Sequence, residues 1–509
     1  MGVAHLGIRE AVLAMEGTQF PGKSYAETVL IPAYDNAKTT LIEPMLAIHK
    51  AHLIMLVEQS IIPKDDALKI LSAIHHIDIE NYQRSSYTGK YEDLFFAIED
   101  QILREAGDLA GNLHIGRSRN DMGVAMYRIV LRDLLVSVLN AVSELQATLL
   151  TMSELHAETI MLGYTHTQPA QPTTLGHYFL AVYDTLSRDY QRLHSALHTC
   201  NHSPLGAAAI TTSGFPINRE RVSELLGFEG LVENSYDAIG GADYIAEIAS
   251  ALQVALLGLG RYTQDLLLWS TKEFGAIVVA EPYVQVSSIM PQKRNPVSCE
   301  HIRALASRGV GECQAILQML HNTPFGDIVD TEDDLQPHLW SALRLASKLF
   351  HLFGCVVATM SVDKERLRER AVESYAVITE LADTLVRSSN MGFRTAHSIS
   401  GHVARLATIE GLKANEVGAE IVAQAAQDVI GRPLCITDEV VKQALDAVHF
   451  VHIRALPGGP APREVLRMME YRQTKLQQTC HAMEQFQQSI ELKMSQLNLT
   501  PQTWNETLG

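Results

Sequence analysis

Ile245, Ile248, Leu252, Ala255, Leu259, Tyr262, Leu266 and Trp269 follow one another at steps of three and four. That 3.5-residue spacing lays one apolar stripe along a single helix face, the pattern of a bundle or coiled coil. Leu131, Leu134, Val138, Ala141, Leu145, Thr148 and Met152 repeat it. In the first run a companion face carries Ala249, Leu256 and Leu267, so the helix is apolar on two sides and needs more than one neighbour. The expectation is an all-α fold built on a multi-helix bundle that further copies of the chain complete. Alternating strand-like runs are scarce.

A chain of 509 residues exceeds what one hydrophobic core usually serves. Three regions are expected: residues 1–115, a small helical domain preceded by an irregular arm; 116–362, the long-helix bundle; and 363–509, a small helical domain with a closing helix. In the first region the helical spacing from Thr40 to about Leu71 breaks at Ile62-Pro63-Lys64-Asp65-Asp66, a turn followed by a new helix start. In the third, Glu410-Gly411, Gly431-Arg432-Pro433 and Leu456-Pro457-Gly458-Gly459-Pro460 punctuate shorter helices.

A net charge of −17 argues against non-specific binding to nucleic acid or to an anionic membrane. The six cysteines are scattered, with no C-x-x-C pair, which fits reduced, mostly packed thiols in a cytoplasmic protein. The start of the chain lacks an uninterrupted apolar stretch of the secretory kind. The richest apolar run, Leu349 to Met360, is shorter than the roughly 18 to 20 residues that span a bilayer.

Three polar stretches carry chemistry. Residues 286–296, Val-Ser-Ser-Ile-Met-Pro-Gln-Lys-Arg-Asn-Pro, form a loop, because Pro291 and Pro296 cannot donate within a helix or central strand. Residues 113–121, Leu-His-Ile-Gly-Arg-Ser-Arg-Asn-Asp, set helix-start residues and two arginines just before the first bundle helix, and guanidinium groups suit a carboxylate. Residues 163–172, Gly-Tyr-Thr-His-Thr-Gln-Pro-Ala-Gln-Pro, hold a hydroxyl beside an imidazole, the side chain best suited to move protons near neutral pH. The histidines lack zinc-ligand spacing and there is no phosphate-binding glycine loop, so neither metal nor organic cofactor is expected.

The run Ser-Ser-Ile-Met-Pro-Gln-Lys-Arg-Asn-Pro resembles the signature loop of the aspartase/fumarase superfamily. Gly-Arg-Ser-Arg-Asn-Asp and Gly-Tyr-Thr-His-Thr-Gln-Pro-Ala-Gln-Pro are similar to segments of its argininosuccinate lyase branch, and the likeness covers roughly residues 40 to 470. It implies three mostly helical domains, a tetrameric twenty-helix core and active sites each shared by three subunits. By the same resemblance Ser287 is the base, with Lys293, backbone amides and the following helix N-terminus stabilising its alkoxide. Ser118, Arg119, Asn120, Thr165, Gln171, Ser288, Met290 and Asn295 match substrate-binding positions, and His166 with Glu300 matches a His–carboxylate pair.

Departures bear on the substrate. Val286 stands where the family loop usually opens with Gly, and Glu92-Asp93-Leu94-Phe95 replaces Glu-Asp-x-His. Asp327, Glu332 and Leu335 stand where the branch has the Tyr, Gln and Lys that hold the arginine end. The expected activity is a carbon–nitrogen lyase releasing fumarate from an N-substituted L-aspartate, of the ethylenediamine-N,N′-disuccinate type, with argininosuccinate as the alternative. A catalytically inactive, crystallin-like helical scaffold is the competing class.

Overall fold

The computed structural model describes residues 2–498 together with Gln502 and Trp504; the rest of the closing region expected to reach residue 509 lies outside the described residues. The N-terminal arm is a correction to the sequence reading. It is not irregular: Gly2–Glu16 is helical, and helical turns resume from Lys23. Helices Ile42–Glu58 and Lys64–His75 are separated where expected, Pro63 capping the second in an extended conformation with Asp65 and Asp66 in its first turn, where carboxylates favour the positive end of the helix.

Five long helices follow, hereafter the first to fifth core helices: Arg119–Leu155, Leu175–Cys200, Asp243–Trp269, Val297–Leu320 and Gln336–Thr359. They run alternately up and down, so the bundle has two distinct ends. At the cap end, where the first core helix starts, Arg128 lies over the Tyr244 ring at 3.9 Å and Gly240 touches Phe325 and Gly326. At the hairpin end, beyond Leu155, Tyr178 meets Trp269 edge-on at 4.8 Å.

The heptad positions fill the bundle: Ile245, Ile248, Leu252, Ala255, Leu259, Leu266 and Trp269 are all buried. On the companion face Ala249 and Leu256 are buried too. Gly309 of the fourth core helix lies so close to the third that a Cβ there would stand 2.6 Å from Leu256 Cδ1. A further stripe of the third core helix, Val254, Leu257 and Leu268, remains exposed.

Two helices, Asp243–Trp269 and Val329–Thr359, are long and apolar enough to cross a membrane by length and composition. This corrects the reading in which Leu349 to Met360 was the richest apolar run; the physical reason is that small and weakly polar residues extend the apolar stretches well past it. Half of each most apolar window is buried within the chain.

A second hydrophobic core gathers Ala371, Leu381, Ile399, Val422 and Phe450 with Ile160 and Leu162. The latter two belong to strand β1 (Ile160–Thr165), which pairs antiparallel with β2 (Gln168–Thr174). The hairpin thus projects from the bundle into the C-terminal region. The closing helix Pro462–Ser495 returns to the main core through Val465, Met468 and Met483, and Arg472 forks onto Asp184 with two 2.6 Å bonds.

Candidate active site

At the cap end Ser118 is the N-cap of the first core helix. Its Oγ accepts from Asn120 N at 3.3 Å, while its own N–H donates to Asp121 Oδ1 at 2.9 Å, closing a capping box. Asp121 is fully buried, and its Oδ2 accepts from Gly206 N at 2.8 Å and Ala208 N at 3.0 Å. One carboxylate therefore locks the residue 118–120 turn against the 205–208 loop. Burial pushes the Asp121 carboxyl up to about 6, against the pull of its backbone donors and Arg117. Gly116, at φ +70, makes the preceding turn against Ile217.

Arg119 is exposed and turned to acidic neighbours: Nη2 reaches Asp93 Oδ2 at 2.7 Å and Nη1 reaches Glu92 Oε1 at 3.5 Å. Its guanidinium also lies 4.8 Å from the Phe96 ring. Asp93 caps helix Leu94–Ala106, accepting from Phe96 N at 3.0 Å. Phe95, in place of the family histidine, packs edge-on to His114 at 5.5 Å.

The acidic segment 327–334 also stands at this end. Tyr127 Oη, on the first core helix, donates to Asp333 Oδ1 at 3.2 Å, and the Glu332 carboxyl stands beside that of Asp327. Burial, then the neighbouring Asp327, pushes the Glu332 carboxyl up to about 8, with Arg119 opposing. Burial likewise raises Asp333. Tyr127 thus ties the segment to the cap end, while Asp327, Asp330, Asp333 and Asp334 keep an exposed face.

The other sequence-predicted residues lie at the hairpin end. Thr165 and His166 are exposed at the β1–β2 tip, where His166 and Thr167 both adopt positive φ, +50 and +61. Non-glycine residues pay strain there, and such strain gathers at functional sites. Gln171, on β2, donates from Nε2 to Thr379 Oγ1 at 3.3 Å.

Residues 287–293 form a flap clasped at its root, Gln285–Val286 pairing with Arg294–Asn295 and Arg294 pairing with Glu281. Val286, in the hinge position, is bridged opposite Arg294. Ser287 Oγ accepts from Met290 N at 3.0 Å and Ile289 N at 3.4 Å, so two backbone amides already face the oxygen. Ser288, Met290 and Lys293 are exposed on the flap, Asn295 is half-buried, and Glu300 is exposed on the first turn of the fourth core helix.

One chain does not bring these groups together. The first core helix has 37 residues and is therefore about 55 Å long at 1.5 Å per residue. Even if the six-residue arm β1 folded straight back, it would recover only about 20 Å at 3.3 Å per residue. Ser118 and His166 of one chain thus stay tens of ångströms apart. Among the described residues no hydrogen bond or ion pair joins His166 to Glu300 either.

The sequence family described as lyase matches residues 46–311, and that described as argininosuccinate lyase C-terminal matches residues 375–452. Argininosuccinate lyase 2 of Agrobacterium fabrum is 42% identical over 449 residues, covering 87% of this chain and 89% of that protein. The chain belongs to the argininosuccinate lyase branch of the aspartase/fumarase superfamily. Argininosuccinate lyase of Methanosarcina barkeri is 38% identical over 433 residues, covering 85% of this chain and 87% of that one. Among solved structures, EDDS lyase in complex with formate superposes with a TM-score of 0.85 at 33% identity over 97% of both chains. An EDDS lyase variant with bound fumarate gives the same values. As a member of this branch the chain is a carbon–nitrogen lyase, and its helical bundle is that of the fumarase/aspartase fold.

Of the residues that shape the cap end, Tyr127 carried no sign of its role in the sequence. Asp121 was legible as the fourth residue of a Ser-x-x-Asp box. The acidic segment with Asp333 was legible as well, but not its bond to Tyr127, since 206 residues separate the two in the chain.

Proposed function

We infer that this lyase releases fumarate from an N-substituted L-aspartate whose leaving amine is cationic. The observation that carries the substrate reading is the acidic segment held at the cap end, where Glu332 and Asp333 stand beside Arg119. Asp93 and Asp333 flank the arginine as carboxylates. Glu332, held protonated by its surroundings, gives up its proton when a cation comes beside it. Together they suit a substrate with a carboxylate at one end and an ammonium at the other.

In this reading the active site is assembled in a homotetramer from three subunits, one giving Ser118, Arg119 and Asn120, another Thr165, His166 and Gln171, a third the 287–296 flap and Glu300. The exposed stripe Val254, Leu257 and Leu268 supports packing against further copies. Ser287 removes the proton on the carbon next to the substrate carboxylate. The resulting aci-carboxylate is stabilised by donors already in place, Lys293 and Asn295 among them. The electron pair forms the new C=C bond as the C–N bond on the adjacent carbon breaks, and the amine departs with its electrons. Backbone amides of Ile289 and Met290, 3.4 and 3.0 Å from Ser287 Oγ, suit a serine that carries negative charge. Closure of the flap excludes water during the step.

A second reading, argininosuccinate as the substrate, is favoured by the 42% identity to the Agrobacterium protein. Absorbance at the fumarate band, on mixing the enzyme with ethylenediamine-N,N′-disuccinate or with argininosuccinate, separates the two. A rise with the former at the higher kcat/KM supports the diamine reading, and a rise with the latter alone replaces it. With neither, both fail.

A further inference from the structure

On the outer face of the bundle three side chains from two core helices line up. Cys355 Sγ lies 3.6 Å from His351 Nε2, one turn away on the fifth core helix. The other ring nitrogen, His351 Nδ1, lies 3.3 Å from Glu144 Oε2 on the first core helix. A carboxylate acceptor on Nδ1 fixes the neutral imidazole with its N–H towards Glu144 and its lone pair towards the sulfur. His351 is thereby placed to take the thiol proton. The side chains of His351 and Glu144 are 65% and 66% exposed, so small molecules reach them.

The same sulfur also touches the reaction machinery indirectly. The Tyr283 hydroxyl lies beside Cys355, and Tyr283 ends the short turn Glu281–Tyr283 from which the flap rises. Glu281 of that turn holds Arg294 at the flap's other root. Cys355 thus sits next to one root of the loop that carries Ser287. Cys200, Cys299 and Cys313 are buried, whereas Cys435 is exposed and has no such neighbours among the described residues.

We propose that Cys355 is a covalent modification site for activated alkenes, the chemical class to which an unsaturated dicarboxylate product belongs, and that its modification unseats the Ser287 flap. In the step, the thiol proton passes to His351 Nε2, the sulfur attacks one alkene carbon, and the S–C bond forms as the π bond breaks. The proton then goes to the neighbouring carbon, giving a thioether without any oxidant or reductant. The adduct occupies the space between the sulfur and Tyr283, and displaces Tyr283 at the flap root. The site itself stands on geometry alone; only its effect on turnover rests on the lyase reading above.

The test treats the intact protein with sub-stoichiometric N-ethylmaleimide and maps adducts by peptide mass spectrometry. Cys355 is expected to be labelled before exposed Cys435, and His351→Gln is expected to slow Cys355 at least tenfold while leaving Cys435 unchanged. Equal labelling of the two cysteines, or an unchanged rate in His351→Gln, overturns the site. Backbone hydrogen exchange over residues 284–296 is expected to quicken in the adduct but not in treated Cys355→Ser. Unchanged exchange overturns the link to the flap, whether or not the protein turns over any substrate tried. Prolonged incubation with fumarate is expected to give an S-succinyl thioether on Cys355; such an adduct on Cys435 instead overturns the assignment of the product as reactant.

Discussion

The hydroxyl of Tyr127 donates to Asp333 across 206 residues of sequence, and through that bond the first core helix holds an acidic segment against its own N-terminus. Glu332, next in line, has its carboxyl pushed from 4.5 up to about 8, chiefly by burial and then by Asp327. The sign follows directly: the folded state holds the Glu332 proton more tightly than the unfolded chain, so stability declines as pH rises from about 4.5 to about 8 and levels off above. Thermal unfolding should show a larger fall in Tm between pH 6 and pH 9 for the wild type than for Glu332→Gln. An equal fall in both would remove Glu332 as its source.

The length of the first core helix makes a second prediction. Ser118→Ala and Ser287→Ala should each be nearly inactive alone, the latter by about 10²- to 10⁴-fold, the usual yield of a positioned acid–base group. Refolded together they should regain turnover well above either parent, because a mixed assembly can pair an intact Ser118 with an intact Ser287. Ser118→Ala also removes a helix cap worth about 1 kcal/mol, so its folding is checked by circular dichroism. No gain on mixing would place both serines in one chain's site.

Asp121 accepts from three backbone amides while fully buried. In Asp121→Asn the amide group turns a donor towards donors and leaves at least one N–H without a partner, at a cost of about 1 to 3 kcal/mol. Urea unfolding should report a loss of that size, and substrate KM should rise because the 118–120 turn is no longer pinned. A variant as stable as the wild type would mean that the carboxylate's three bonds are dispensable.

Gly309 and Gly311 lie on the same helix and differ only in their surroundings. A Cβ at 309 meets Leu256 Cδ1 at 2.6 Å, whereas at 311 it meets nothing within 4 Å. Gly309→Ala should destabilise by about 1 to 3 kcal/mol through overpacking. Gly311→Ala should stabilise by up to about 1 kcal/mol through helix propensity. Denaturant midpoints of the two variants, measured side by side, should move in opposite directions.

Leu257 is 53% exposed on the third core helix. If the proposed tetramer packs through this stripe, Leu257→Lys should leave helix content unchanged and shift light scattering towards smaller species, since burying an unpaired ammonium in a helix–helix contact is costly. A tetramer that survives intact would place the inter-chain contact elsewhere.

By itself the sequence determined the helices, their apolar stripes and the three polar segments, because period, caps and prolines act locally. Spacing of three and four residues marks the buried faces of the first and third core helices, and Ser118 with Asp121 announces a helix start within four residues. Exposure of a stripe is not local: Val254 and Leu257 are as apolar as their buried neighbours, and only packing leaves them outward. The same holds at the site. That the segment 327–334 turns to Tyr127, that Asp121 reaches Gly206, and that one chain keeps Ser118 far from His166 are consequences of rigid helices tens of ångströms long. Tertiary structure alone decided which polar residues meet, because the free energy that joins them comes from burying the helices between.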